Sequence, residues 1–390
     1  MIDLKDYGIE MWPEDRIASF RRTLLGWYDQ EKRDLPWRRT TNPYYIWVSE
    51  IMLQQTQVNT VIPYYKRFLE WFPQIKDLAD APEEQLLKAW EGLGYYSRVR
   101  NMQKAAQQVM VDFGGIFPHT YDDIASLKGI GPYTAGAIAS ISFNLPEPAV
   151  DGNVMRVMAR LFEVNYDIGD PKNRKIFQAI MEILIDPDRP GDFNQALMDL
   201  GTDIESAKTP RPDESPIRFF NAAYLNGTYS KYPIKNPKKK PKPMRIQAFV
   251  IRNQNGQYLL EKNTKGRLLG GFWSFPIIET SPLSQQLDLF DDNQSNPIIW
   301  QTQNETFQRE YQLKPQWTDN HFPNIKHTFS HQKWTIELIE GVVKATDLPN
   351  APHLKWAAIE DFSLYPFATP QKKMLETYLK QKKCLIASEL

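Results

Sequence analysis

The sequence predicts a multi-domain protein in which an all-α block is followed by a smaller α+β block. Three observations carry this. Over residues 1–230, hydrophobic side chains recur at helical spacing, as in Ile17, Phe20, Leu24 and Trp27, or Val61, Tyr64, Tyr65, Phe68 and Leu69. Over residues 231–245, prolines interleaved with lysines interrupt the pattern. From residue 246 on, alternation replaces it, and Asn255-Gly256 between Arg245–Ile251 and Tyr258–Glu261 is a hairpin signal.

The chain has 390 residues, 42% hydrophobic and 24% charged, which suits two or three globular domains. Its one cysteine, Cys384, allows no internal disulfide framework and no site built from several thiolates. A reducing, cytoplasmic location is expected, nucleoid-associated if the source is bacterial. Met1–Asp6 shows no signal-peptide pattern, and no apolar run reaches the roughly 18–20 residues of a membrane span. Net charge is zero but uneven. Residues 1–230 hold 25 basic and 32 acidic residues, 231–245 hold seven bases and no acid, and 246–390 hold fifteen of each. Bulk charge therefore argues weakly against nucleic-acid binding by the first block, so a case for DNA rests on local geometry.

Taken in order, Asp80-Ala81-Pro82-Glu83-Glu84 reads as a helix start, with acids at the positive end of the dipole. Leu127-Lys128-Gly129-Ile130-Gly131-Pro132-Tyr133-Thr134-Ala135-Gly136 joins two helical stretches, Tyr121–Leu127 and Thr134–Ser142. Gly129 and Gly131 permit a tight turn and close approach of a ligand. Pro132 suits a first helical turn, whose N–H groups suit a phosphate. The decapeptide matches a helix-hairpin-helix signature, which binds DNA backbone through main-chain groups and needs no basic patch. Asp151 precedes a helix marked by Val154, Met155, Val157, Met158, Leu161 and Phe162. Residues 231–245 read as an extended linker, a spacer or a phosphate-contacting strip. Beyond it, residues 281–310 read as a loop, Trp334–Glu340 as a half-buried strand, and Thr369–Gln381 as a last helix.

Two carboxyl groups stand out. On a helix, Glu50 neighbours Ile46, Trp47, Leu53 and Gln54, so its carboxyl should resist ionisation, as a general acid must. The alternative is a solvated Glu on an amphipathic helix. Gln54-Gln55-Thr56-Gln57 continues that helix, either probing base edges or forming a soluble face. Asp151 is an N-cap, and the same geometry fixes a carboxylate at a defined place facing solvent. A buried acid, a fixed carboxylate and a DNA-backbone hairpin together describe a glycosidic reaction on a flipped-out nucleotide.

With these residues in view, the chain resembles the MutY family of adenine DNA glycosylases, within the endonuclease III superfamily. The motifs are Leu35–Arg38 (Leu-Pro-Trp-Arg), Ser49–Val58, Trp90–Arg98, the hairpin at 127–136 and Val150–Val157. The resemblance implies a helix-hairpin-helix glycosylase domain at 1–230, a linker at 231–245 and a MutT/Nudix-like domain at 246–390. It implies Glu50 as general acid at adenine N7 and Asp151 as stabiliser or trap of the sugar cation. Tyr133 and Asn153 would hold the carboxylates and the nucleotide. Gln55, Thr56 and Tyr95, with Arg38 nearby, would wedge into the duplex and read the opposite base. The substrate would be duplex DNA with adenine mispaired with 8-oxoguanine, and the protein a monomer. Lyases of the superfamily carry lysine where Tyr133 stands, so β-elimination should be weak.

Two departures shape the expectation. The positions corresponding to the superfamily's iron–sulfur ligands are Glu205, Pro212, Ser215 and Asn221, so a clusterless member is expected, with a cation in the hairpin left open. Ile217, Phe219, Phe220 and Tyr224 are expected to pack that loop instead. In the second block, Gly270–Pro276 matches the Nudix-like domain, but Ser281–Asp292 offers no Glu-rich metal-binding run. Recognition rather than hydrolysis is expected there, with Phe329, Ser330 and His331 inspecting 8-oxoguanine. A glycosylase–lyase, a silent lesion binder and a Nudix hydrolase are the alternatives. Tyr133, the intact Glu50–Asp151 pair and the missing acidic run argue against them in turn.

Overall fold

The computed structural model describes residues 2–237, 240–264, 268–279, 297–344, 348 and 351–388. By their contacts these form two compact units, Met1–Ala81 with Ser97–Lys238, and Pro82–Tyr96 with Lys239–Leu390. The segment 82–96 thus groups with the second unit although it lies inside residues 1–230.

The described residues of the first unit carry helices and short 3-10 turns, with no strand. α1 (Glu14–Glu31) buries Ile17, Phe20 and Leu24 of the expected stripe, and Tyr28 is buried where Trp27, half-buried, was expected. α2 (Pro43–Leu53) is capped by Asn42, whose side chain accepts from the Tyr44 N–H at 3.0 Å. α3 (Val58–Trp71) and α4 (Ile75–Asp80) follow, then α6 (Ser97–Asp112), α5 (Glu83–Ala89) being the helix of the 82–96 segment. α7 (Tyr121–Ser126) and α8 (Pro132–Phe143) form the predicted hairpin, with Pro132 at the first position of α8. α9 (Gly152–Leu161), α10 (Arg174–Leu184) and α11 (Pro190–Asp203) pack with α1 around Phe20, Val157, Met158, Phe177, Ile180, Phe193 and Leu197. A four-residue helix, α12 (Ala222–Leu225), ends the unit's helical run.

α8 lies close to the chain that leads into Asp151. A Cβ on Gly136 would sit 2.0 Å from the Pro148 carbonyl oxygen, so only glycine allows this approach. Asn194 of α11, wholly buried, locks the contact. It accepts from the Ala149 N–H at 3.1 Å and donates to the Glu147 carbonyl and the Ser140 hydroxyl, each at 2.9 Å.

The second unit is a mixed sheet between helices. β1 (Lys242–Asn253) runs parallel to β7 (Gln332–Val343), Lys242 opposite Gln332 and Asn253 opposite Val343, and the other pairings are antiparallel. Residues of β1 alternate between two cores. Ile246, Ala248 and Val250 meet Met374 and Tyr378 of α14 (Thr369–Ser388); Phe249 and Ile251 meet Phe307 and Tyr311 of α13 (Pro297–Tyr311). Burial of both faces explains why β1 reads as a nearly unbroken apolar run. β2 (Tyr258–Lys262) follows the Asn255-Gly256 turn, where Asn253 Oδ1 accepts from the N–H groups of Asn255 and Gln257 at 3.0 Å each. In the 82–96 segment, buried Glu91 takes Lys88 at 2.8 Å, Lys372 at 3.0 Å and the Phe367 N–H at 3.3 Å.

Three expectations are corrected. Lys242–Arg245 belong to β1 rather than to a linker, because pairing with β7 satisfies their backbone. Residues 297–310, expected within a loop, belong to α13, since Phe307 and Tyr311 one turn apart supply a core face; residues 281–296 lie outside the described residues. The last helix runs to Ser388, past Gln381.

Candidate active site

α2 explains why Glu50 is unusual. Tyr44, Ile46–Met52 and Glu50 itself are all buried, so the helix is apolar around its whole girth. Such a helix has no wet face. Glu50 is 6% exposed, which removes the solvated reading. Burial pushes its carboxyl up to about 7, and the charge of Asp151 adds to this. The Tyr133 hydrogen bond and the Arg38 guanidinium pull the other way.

The helix-hairpin-helix brings the second group. Tyr133, in the first turn of α8, donates from its hydroxyl to Glu50 Oε2 at 2.6 Å. Burial and the neighbouring carboxyl hold its own proton well above the usual tyrosine range. The turn is built on Gly129, with φ of +81° and a hypothetical Cβ 2.7 Å from Asn101 Cβ. Gly131 has φ of −98° and open space where a side chain would be, so nothing within the chain requires glycine there. That space lies on a cavity.

Asp151 caps α9. Its Oδ1 accepts from the N–H groups of Asn153 at 2.9 Å and Val154 at 2.8 Å, and Oδ2 accepts from Asn153 Nδ2 at 2.8 Å. Arg156 Nη2 donates to Asn153 Oδ1 at 2.7 Å, which fixes which way the amide points. Burial raises the Asp151 carboxyl, while the two backbone N–H groups and Arg156 restrain the rise. Asp151 is half-buried, its carboxylate fixed where the cap position suggested. It lines, with Glu50, Tyr133, Asn153, Gly129 and Gly131, one open cavity of about 1210 Å³.

The other sequence-derived residues divide. Arg38 lines the cavity, but its guanidinium is committed to Asp199 Oδ2 at 2.7 Å and Gln195 Oε1 at 3.1 Å. Gln55 and Thr56 also line it. They are not helical: α2 ends at Leu53, and Arg98 Nη1 caps the end through the carbonyls of Ile51 at 2.7 Å and Gln54 at 2.5 Å. Gln55 takes φ of +58°, strained for a non-glycine residue. Tyr95 shares this conformation, with φ of +49°, but belongs to the second unit and is not among the cavity-lining residues. Sequence reasoning missed Asn194, Gln195 and Asp199. Asn194 carried a signal, a polar residue beside Phe193 on the apolar stripe of α11.

A family model described as HhH-GPD superfamily base excision DNA repair protein matches residues 48–184, and a NUDIX domain model matches 247–377. The adenine DNA glycosylase of Homo sapiens is 34% identical over 423 residues, covering 94% of this chain and 75% of that protein. That of Buchnera aphidicola subsp. Acyrthosiphon pisum is 38% identical, covering 66% of this chain and 73% of its own. That of Buchnera aphidicola subsp. Schizaphis graminum is 30% identical, covering 93% and 99%. The chain belongs to the adenine DNA glycosylases.

In this adenine DNA glycosylase, Phe329, Ser330 and His331 connect β6 (Ile325–Thr328) to β7. Phe329 packs on Trp334 and His327, with ring centroids 4.8 and 4.5 Å away. Ser330 and His331 are exposed, their Oγ and Nδ1 3.4 Å apart.

At the positions that correspond to the superfamily's iron–sulfur ligands, Glu205, Pro212, Ser215 and Asn221 offer no thiolate. Glu205 is 0% exposed and engaged by Arg160 Nη1 at 3.0 Å, by the Tyr229 hydroxyl and by Asn221 Nδ2 at 3.4 Å. Arg160 also stacks on the Tyr229 ring at 4.1 Å. Pro212 begins a 3-10 turn, and Ser215 is buried. Among the described residues, no group of three or more His, Cys, Asp or Glu is placed to hold a metal ion. The expected hydrophobic packing is half right. Ile217 is buried and Phe220 packs between Trp12 and Phe20, but Phe219 is 66% exposed and Tyr224 faces Asp213 at 2.8 Å. The pattern of aromatic residues could not reveal that the loop closes on a buried ion pair.

Proposed function

We propose that the chain hydrolyses the N-glycosidic bond of adenine mispaired with 8-oxoguanine or guanine in duplex DNA and leaves an abasic site. The observation that carries this reading is Glu50, buried, held at 2.6 Å by Tyr133 and facing the same cavity as the capped Asp151. An acid with a carboxyl near 7 keeps its proton in about half of the molecules at neutral pH, where an ordinary Glu has lost it. It gives that proton to N7 of the flipped-out adenine. The C1′–N9 bond then breaks with its electron pair going to the base. Asp151 meets the sugar cation with a carboxylate already oriented by three N–H donors. Water adds to C1′, and its released proton restores Glu50. Tyr133 offers no amine, so no Schiff base forms and strand scission awaits alkali.

The chemistry assigns no step to a metal or an iron–sulfur cluster. The Gly129–Gly131 turn takes backbone phosphate, and Gln55, Thr56 and Tyr95 enter the duplex. Ser330, raised on the β6–β7 turn with Phe329 and His331, inspects 8-oxoguanine. The protein acts as a monomer in the cytoplasm. Duplexes with adenine opposite 8-oxoguanine, guanine and thymine test the reading, with cleavage scored before and after alkali. Release opposite the two guanine forms, with nicks only after alkali, supports it. Release opposite thymine alone, or nicks without alkali, overturns it.

A further inference from the structure

The cavity is also lined by a charge cluster that the proposed chemistry does not use. Asp199 of α11 is 2% exposed. One of its oxygens accepts from Arg38 Nη1 at 2.7 Å, and the other from Arg33 Nε at 3.1 Å and from Arg33 Nη2. Arg38 Nε donates in turn to Gln195 Oε1, one turn earlier on the same helix. All four residues line the cavity that holds Glu50. One buried carboxylate therefore serves two guanidinium groups. Desolvated charge is costly unless paired, so the cluster persists only because each member is held by the next.

We propose that Asp199 is a positioning residue for the proton donor, pinning Arg38 and Arg33 to the cavity wall and offsetting their charge so that Glu50 keeps its proton. This rests on the reading of Glu50 as the acid.

The groups that bear on Glu50 line the same cavity: the Tyr133 hydroxyl from α8, the Asp151 carboxylate at the start of α9, and Arg38 from the 3-10 turn Pro36–Arg38. Of these, Tyr133 donates a hydrogen bond and Arg38 is the cation, and both favour ionisation. Asp199 faces Arg33 and Arg38. Asp203, on the same helix, adds a weaker contact to Arg33 at 3.9 Å. From α1, Tyr28 lies under Arg38 at 5.6 Å and under Lys32 at 5.7 Å. Removing the Asp199 charge leaves Arg38 uncompensated in the cavity that Glu50 also lines, where a partly desolvated unit charge acts more strongly than in water. Removing Arg38 does the reverse.

The experiment titrates Glu50 directly and through the reaction. The protonated-carboxyl infrared band that disappears in Glu50→Gln is followed against pH in the full-length protein and in the variants Asp199→Asn, Asp199→Glu and Arg38→Gln. Asp199→Asn should lower the midpoint, by on the order of half a pH unit or more. Arg38→Gln should raise it, and Asp199→Glu should restore it toward the parent. The alkaline limb of single-turnover base release should move in the same directions. Shifts of opposite sign from two mutually paired residues are not produced by loosened packing. An unmoved midpoint in Arg38→Gln and Asp199→Asn overturns the inference, as does a uniform loss of rate at every pH. If Asp199→Asn fails to fold, Arg38→Gln and Asp199→Glu still decide it. A parent protein that titrates as expected but releases no adenine overturns the functional reading and leaves the charge relationship standing on the infrared result.

Discussion

The Tyr133 hydroxyl donates to Glu50 at 2.6 Å, and the two side chains come from helices 83 residues apart in sequence. Tyr133 sits in the first turn after the glycine hairpin, so the element suited to DNA backbone also holds the acid. Its hydrogen bond favours the ionised carboxyl, while burial and Asp151 favour the protonated form. Tyr133→Phe removes one side of this balance. The alkaline limb of the rate profile should move to higher pH while the maximal rate falls, because the carboxyl loses its fixed orientation. A limb that moves to lower pH contradicts the assignment.

Glu50 should make the protein less stable as pH rises. Its ordinary value is 4.5 and its folded value about 7, so the folded state holds the extra proton between them. Stability from this group is complete below about 4.5 and is lost as pH climbs through 7. Glu50→Gln should therefore be more stable than the parent at pH 8, by on the order of 2 kcal/mol, with little difference at pH 4. Urea unfolding at the two pH values measures this.

Asp151 combines a cap with a charge, and two variants separate them. Asp151→Asn keeps an acceptor for the Asn153 and Val154 N–H groups, so stability should change by less than about 1 kcal/mol. Base release should nevertheless fall by about 100-fold or more, because the charge facing the sugar is gone. Asp151→Ala should lose the cap as well, with a further cost of about 1 kcal/mol.

The loop at 205–229 should depend on its buried ion pair. Arg160→Met leaves Glu205 buried without its cation and should cost about 3 kcal/mol or more. Phe220→Ala should cost roughly 2–3 kcal/mol, since its ring packs on Trp12 and Phe20. Phe219→Ala should change stability by less than about 0.5 kcal/mol, its ring being exposed. Thermal melts of the three proteins rank them.

Much of this was legible in the chain. Local signals did the work where chemistry is local. Asn42-Pro43 started α2, Gly131-Pro132 started α8, Asp151 capped α9 and Asn255-Gly256 turned the hairpin. Burial of Glu50 was readable because its helical neighbours are apolar. Tertiary facts were not. Gln54–Gln57 continue the α2 pattern in sequence, yet Arg98, more than 40 residues on, ends the helix through its last carbonyls. Asp199 looks like any acid on an amphipathic helix until Arg33 and Arg38 arrive from the other end of the unit. The grouping of residues 82–96 with the sheet-bearing unit likewise depends on Glu91 reaching Lys372 and Phe367, which no window of sequence contains.

The central claim is that Glu50 is the proton donor for adenine release. Single-turnover release from an adenine:8-oxoguanine duplex, compared between the parent and Glu50→Gln with duplex affinity measured in parallel, tests it most directly. Release should vanish in the variant while binding persists. Release by Glu50→Gln at a rate near the parent's, with binding intact, would contradict it.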